Sequence, residues 1–245
     1  MTTIADKTIL VTGGNRGIGR ALVEDALARG AKRVYVGTRK PVATSNATPV
    51  PLDVTDAAQI NRAVSEIGSL DILINNAGIA LYDDLTDHAT LQRHLDVNLF
   101  GTYRVTQAFL PLLSSSRGTV VNNLSVNALA PLPLIPAYSV SKAAAFSLTQ
   151  SLRALLAERG VTVHAVLTGI VDTDMTAGLD APKASPESVA RAIFDGVENG
   201  EEDIFPDAMS AALSQGWRSG PVKALERQYA ALATAERAKA QENSG

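Results

Sequence analysis

Cysteine is missing from all 245 positions. Its absence excludes disulfides, thiolate chemistry and Cys-ligated metals. Histidine occurs three times, as His88, His94 and His164, without metal-ligand spacing, so no metal site is expected. No apolar run approaches the ~20 residues of a membrane span. The opening stretch MTTIADKTILVTGG has no charged segment ahead of a long apolar one, so no signal peptide is expected. An excess of one charge sign is missing too: 22 Lys and Arg face 25 Asp and Glu, a formal net charge of −3. Bulk charge therefore recruits neither nucleic acid nor a membrane surface. There is no linker and no internal repeat. What is present is 46% hydrophobic and 19% charged. That supports a sizeable core, and a cytoplasmic globular protein is expected.

Short apolar runs alternate with longer amphipathic ones. Strands are expected at Thr8–Thr12, Arg33–Thr38, Val50–Val54, Leu70–Gly78, Gly118–Ser125 and Val161–Gly169, with a short final strand in DIFPD. Helices are expected after Gly17, over Asp56–Ile67, Leu91–Leu113 and Tyr138–Arg159, and in SPESVARAIFDGVENG. In the first helix Ile18, Leu22 and Leu27 share a face, and Gly30 can stop it. In the last of these Ser185 caps and Pro186 fits the first turn. This alternation predicts an α/β fold with a parallel sheet covered by helices on both faces. One domain is expected over residues 1–245. Its Ala- and charge-rich end, from about Pro221, reads as a helical extension with a solvated, frayed terminus.

Between the first strand and first helix lies TGGNRGIG, Thr12 to Gly19. Glycines at 13, 17 and 19 permit a tight turn and close approach of backbone to a ligand. The following helix offers free N–H groups and a positive dipole end. A strand before the loop and a helix after it point to dinucleotide binding. At the end of the second strand, VYVGTRK holds no carboxylate to accept ribose hydroxyls. Instead Thr38 is followed by the cations Arg39 and Lys40, and Arg16 sits in the glycine loop. Guanidinium groups suit a 2′-phosphate, so NADP(H) is expected over NAD(H). Asp53, beside Val54, is placed for the adenine amino group; the alternative is a helix cap, for which Asp56 competes.

The pentapeptide YSVSK puts Tyr138 and Lys142 one helical turn apart on one face. A neighbouring ammonium lowers a phenol's pKa from its usual ~10. With TGGNRGIG, NNAG at 75–78 and Ser125 after the fifth strand, this ordered set resembles the short-chain dehydrogenase/reductase family over about residues 5–205. The resemblance implies a seven-stranded Rossmann-type sheet and an active-site tetrad of Asn98, Ser125, Tyr138 and Lys142. It implies cofactor contacts from Thr12, Gly13, Asn15, Gly17, Ile18 and Gly19. Asn75, Asn76, Ala77 and Gly78 would shape the adenosine side and support the central strands, and Gly169, Ile170 and Thr173 would meet the nicotinamide.

By the same resemblance, Lys142 binds the nicotinamide ribose and favours the Tyr138 phenolate. Tyr138 is then general acid for carbonyl reduction or general base for alcohol oxidation. Ser125 holds the substrate oxygen, and Asn98 holds a water linking Lys142 to solvent. The expected partner is a small, fairly apolar ketone, aldehyde or alcohol. Leu132, Leu134 and Met175, with Leu129 and Leu179, would line its cavity beside Ser125 and Tyr138. The helices at Leu91–Leu113 and Tyr138–Arg159 fit the family's dimer interface; a homodimer is expected, with a tetramer second. The chain departs from many relatives in carrying Thr168-Gly169 where they carry Pro-Gly, and in its tail. Two other readings stand beside this one. A sugar-nucleotide epimerase or dehydratase would need a different glycine spacing and a larger C-terminal domain, and a cofactor-sensing protein would show a broken tetrad.

Overall fold

The computed structural model describes residues 2–40 and 46–242. Seven strands form one sheet: β1 (Thr8–Thr12), β2 (Arg33–Thr38), β3 (Thr48–Pro51), β4 (Ile72–Asn75), β5 (Thr119–Asn123), β6 (Thr162–Val166) and β7 (Asp203–Ile204). Their order is β3-β2-β1-β4-β5-β6-β7, and every pairing is parallel. The α-helices are α1 (Gly17–Ala28), α2 (Ala57–Ile67), α3 (His88–His94), α4 (Thr102–Ser116), α5 (Pro136–Leu156), α6 (Pro186–Glu198), α7 (Ala208–Arg218) and α8 (Pro221–Glu242).

Parallel strands covered on both faces must be apolar on both, and these are. Ile9, Leu10 and Val11 of β1 and Ile72, Leu73 and Ile74 of β4 are all fully buried. One face packs against α1 and α6, through Leu22, Ala26, Ile193 and Phe194. The other packs against α2, α4 and α5, through Ile60, Phe109, Leu113 and Leu152. Strand order reverses between β1 and β4, so the loops leaving their carboxyl ends diverge and open a crevice.

Most expected elements appear, and the shifts have local causes. The third strand runs Thr48–Pro51 rather than Val50–Val54. Asp53 ends it by turning back on itself, its Oδ1 accepting from the Thr55 N–H at 2.9 Å. Asp56 then caps α2, accepting from the Ala58 and Gln59 N–H groups. Just past β3 the Leu52 N–H reaches the Thr38 carbonyl. Strand alternation therefore turns the nitrogens of Pro49 and Pro51 away from β2, toward the open edge.

The long helix expected over Leu91–Leu113 starts at His88, capped by Asp87, and runs through Ser116. A wider π turn, Leu95–Gly101, interrupts it and carries Asn98. The helix α7 was not expected. It is opened by Asp207, whose carboxylate accepts from the Ser210 N–H while Ser210 Oγ bonds back to the Asp207 N–H.

The tail's first turns are docked on the rest of the molecule. Lys223, in α8, is buried, with its Nζ 2.7 Å from Asp203 Oδ2, 2.9 Å from Glu226 Oε2 and 3.1 Å from Glu202 Oε2. Arg153 of α5 pairs with Asp203 at 2.7 Å and with Glu226. This buried ionic cluster ties α8 to α5 and to β7.

Candidate functional site

The crevice is built from the segments that follow four neighbouring strands. After β1, Thr12 Oγ1 reaches the Ile74 carbonyl at 3.3 Å and accepts from the N–H groups of Asn76 and Ala77 at 2.9 and 3.1 Å. This locks the glycine loop to NNAG. Gly13 has φ +65, and Gly19 leaves no space for a side chain: a Cβ there would lie 2.2 Å from the Gly13 carbonyl oxygen. Helix α1 opens at Gly17 without a side-chain cap, unlike α2, α6 and α7. Its first N–H groups are thus offered to an anion, which is what a dinucleotide's pyrophosphate needs. The loop's lack of side-chain bulk and the uncapped helix fit a nicotinamide dinucleotide.

The predicted adenosine-side residues are divided: Asn75 is buried with its Nδ2 donating to Thr106 and Asn122, each at 2.9 Å, and Gly78 lies beside Asn98 and Lys142, because the strand end turns both away from the β2 side. Thr38 and Val54 are buried, and Arg39 and Lys40 are exposed just after β2. Val54 packs against the π turn, where a Cβ on Gly101 would meet its Cγ2 at 2.7 Å. Asp53 Oδ1 is occupied by Thr55, and Asp56 has taken the helix cap. Arg16 pairs with Asp174 at 3.1 Å, both side chains exposed, so the glycine loop meets the segment that follows β6. There Thr173 caps a short turn, Asp174–Thr176, and its Cγ2 comes within 3.0 Å of where a Gly17 Cβ would be.

The structure brings Ser125, Tyr138 and Lys142 together, with Asn98 beside them. Ser125 follows β5 and holds the next turn by accepting from the Asn127 N–H at 3.1 Å. Its hydroxyl lies near enough to the Tyr138 phenol to favour the phenolate. Tyr138 lies one turn into α5, whose start is held by Asp83 accepting from the Ala137 N–H. The buried His94 ring meets Tyr138 edge-on, with centroids 6.4 Å apart. Lys142 Nζ is 5.6 Å from the Tyr138 ring centre and donates to the Asn123 carbonyl at 2.9 Å.

The electrostatics differ from the sequence expectation. Burial pushes the Tyr138 phenol up to about 12, partly opposed by the Ser125 hydrogen bond. Burial alone pulls Lys142 down to about 8. Desolvation therefore outweighs any lowering of the phenol by the ammonium, and Tyr138 keeps its proton at neutral pH.

Asn98 also does something other than expected. Its Nδ2 donates to the Ile79 carbonyl and to Ser141 Oγ, each at 2.9 Å. Its Oδ1 accepts from the Ile79 N–H at 2.9 Å. One amide hydrogen is thus spent on the segment after NNAG and the other on α5, and only one Oδ1 lone pair is left for a water.

Leu132, Leu134 and Met175 are exposed, so they form an open rim rather than an enclosed lining. Leu129 packs against the buried cluster around Leu124 and Phe146 instead. The histidines are dispersed. His94 Nε2 accepts from the Leu81 N–H, and His164 in β6 meets the Glu201 carbonyl at 2.6 Å.

Sequence reading missed several residues that hold the site. Asn123 Oδ1 accepts from Thr168 Oγ1 and its Nδ2 donates to Asn76 Oδ1, each at 2.9 Å. Asp207 accepts from the Gly169 N–H at 2.7 Å. The only signals were an Asn doublet ending an apolar strand and the Asp-x-x-Ser cap of α7.

A family model described as short chain dehydrogenase matches residues 7–184. An uncharacterized oxidoreductase of Staphylococcus epidermidis is 35% identical over 210 residues, covering 79% of this chain and 91% of that one. A solved short chain dehydrogenase from Burkholderia cenocepacia, in complex with NADP, has a TM-score of 0.84 at 35% identity, covering 93% of this chain and 98% of that one. Ligand-free aldohexose dehydrogenase from Thermoplasma acidophilum has a TM-score of 0.71 at 28% identity, covering 78% and 86%. The match runs from β1 past the segment after β6, through every part of the crevice, and places this chain in the short-chain dehydrogenase family of NAD(P)-dependent oxidoreductases.

Proposed function

We propose that the protein is an NADPH-dependent carbonyl reductase acting on ketones or aldehydes, running in reverse on secondary alcohols. The observation that carries this reading is the buried Tyr138 phenol. It lies beside Ser125 and one turn from Lys142, whose Nζ is 5.6 Å from its ring centre, so a proton to give and a positive charge stand together in the crevice. When bound, the nicotinamide supplies the hydride. Ser125 orients the substrate oxygen toward Tyr138, and Tyr138 donates its proton to that oxygen as negative charge develops there. Lys142, fixed by the Asn123 carbonyl, holds the ribose and supplies positive charge beside the phenol. Asn98 holds the Ile79 backbone against α5 through Ser141 and accepts a water at its remaining lone pair.

Thr12, Gly13, Asn15, Gly17, Ile18 and Gly19 cradle the pyrophosphate. Ala77, Asp53 and Val54 bound the adenosine, and Gly169, Ile170 and Thr173 the nicotinamide; Asn75 supports the strands from within, and Gly78 stands beside Asn98 and Lys142. Arg39 and Arg16 take the 2′-phosphate. An exposed pair such as Arg16–Asp174 is weak and gives way to a phosphate, which a guanidinium grips with two parallel hydrogen bonds.

The rim residues Leu132, Leu134 and Met175 favour an apolar substrate of medium size. The exposed Phe100, Tyr103, Val140 and Leu155 on and beside α4 and α5 support a homodimer through those helices. We place the protein in the cytoplasm, as one domain over residues 1–245, whose Met1, 41–45 and 243–245 lie outside the described residues.

Consumption of NADPH and NADH by the purified protein, measured across a panel of ketones and aldehydes, tests the reading. Turnover with NADPH well above NADH is expected. Binding of both nucleotides without turnover of any carbonyl would favour a cofactor sensor instead.

A further inference from the structure

Four neighbouring strand ends are joined by side-chain amides and one hydroxyl. From β1, the carbonyls of Thr12 and Gly13 accept from Asn76 Nδ2 at 3.1 and 3.3 Å. Asn76, after β4, accepts at Oδ1 from Asn123 Nδ2 at 2.9 Å. Asn123 ends β5 and accepts at Oδ1 from Thr168 Oγ1 at 2.9 Å. Thr168, after β6, also lies 3.0 Å from the Leu124 carbonyl, and its own carbonyl accepts from the Val126 N–H at 2.9 Å. The line thus runs from the glycine loop to the segment carrying Gly169, Ile170 and Thr173.

We propose that Asn123 and Thr168 are positioning residues that set the separation of the two halves of the dinucleotide site. The proposal rests on the placement of adenosine and nicotinamide given above. A dinucleotide must satisfy the glycine loop and the post-β6 segment at once, so its affinity depends on their relative position. A ligand that touches only the adenosine side does not feel that separation. Asn123 is suited to the task because its amide donates one way and accepts the other, fixing direction as well as distance. Its backbone carbonyl also holds Lys142 Nζ, so the same residue sets the height of the ammonium above the crevice. Thr168 stands where many members of the family carry proline. A proline there would stiffen the segment without reaching Asn123; the buried threonine hydroxyl ties it across the sheet instead.

The test compares a whole ligand with its half. Dissociation constants are measured for NADPH and adenosine 2′,5′-bisphosphate, and in parallel for NADH and AMP, so that the result does not depend on cofactor preference. Asn123→Leu and the near-isosteric Thr168→Val are each expected to weaken the whole dinucleotide about tenfold, because the two halves of its site are then no longer held at the separation it needs. The half-ligands are expected to change by less than about twofold. Thr168→Ser, which keeps the hydroxyl, should restore dinucleotide binding. The double variant should be no more than about twofold worse than either single, because both break one line. Equal weakening of whole and half, or no weakening of either, would overturn the proposal. If Asn123→Leu does not fold, Thr168→Val and Thr168→Ser decide alone. Failure of the unmodified protein to bind either dinucleotide would refute the cofactor placement itself.

Discussion

Replacing Lys223 by Met removes one cation from a cluster of three carboxylates. Lys223 and Asp203 side chains are each 2% exposed and Glu226 is 15% exposed, so these two acids are left facing each other largely out of water. Glu202, at 42%, is screened by solvent and adds little. Breaking a buried pair by deleting one partner costs about 3–5 kcal/mol. Arg153 still pairs with Asp203 and Glu226, which puts Lys223→Met near the low end, about 3 kcal/mol. For a chain of this size that lowers Tm by about 6–12 °C.

The pH dependence follows from Asp203 and Glu202, whose pKa values are held below the ordinary 3.8 and 4.5 by Lys223 and Arg153. Stability from such groups is complete above their unfolded values and is lost as pH falls through the depressed ones. The Tm gap between Lys223→Met and the unmodified protein should therefore be constant from pH 7 to about 5 and narrow below about 4. Thermal melts across that range measure it. A gap under about 2 °C at pH 7, or one that does not narrow in acid, would mean that the cluster does not hold α8.

Tyr138→Phe should lower kcat by about 10²–10⁴-fold while leaving the dinucleotide dissociation constant nearly unchanged, as read by steady-state kinetics and fluorescence titration. Because Lys142 is pulled down to about 8, kcat/KM for the nucleotide, which reports the free enzyme, should fall as pH rises through about 8 and the ammonium is lost; a flat profile from pH 6 to ~9.5 would remove that charge from the mechanism. Arg39→Asp should erode or reverse the NADPH/NADH ratio of kcat/KM, and an unchanged ratio would return Arg39 to the solvent surface. Gly19→Ala should abolish dinucleotide binding in titration, since its Cβ would meet the Gly13 carbonyl oxygen at 2.2 Å.

The parts of this molecule legible in its sequence are those encoded locally. Apolar strands such as Thr8–Thr12 and the capped start of α6 read directly from pattern. So did the glycine loop and the Tyr138–Lys142 pair, because their spacing is their geometry. The parts that were not legible depend on residues far apart in the chain. Lys223 looked like one of many charges in an Ala-rich tail; only folding brings it to Asp203, 20 residues earlier, and to the neighbourhood of Arg153. Asn98 was recognisable as a site residue, but its clamp on Ile79 exists because a π turn rotates it there. The Tyr138 phenol was expected to be lowered by its neighbour; the depth of its burial, which no local pattern encodes, reverses the sign.

The two margins of the sheet carry a consequence for the life of this chain in a crowded solution. Along β3 every second nitrogen is a proline's, and β7 offers only two residues. Among the described residues, a passing extended peptide or a partly unfolded sibling finds no run of free donors and acceptors to zip onto at either margin. The chain is thereby guarded against open-ended strand addition of the kind that seeds fibrils.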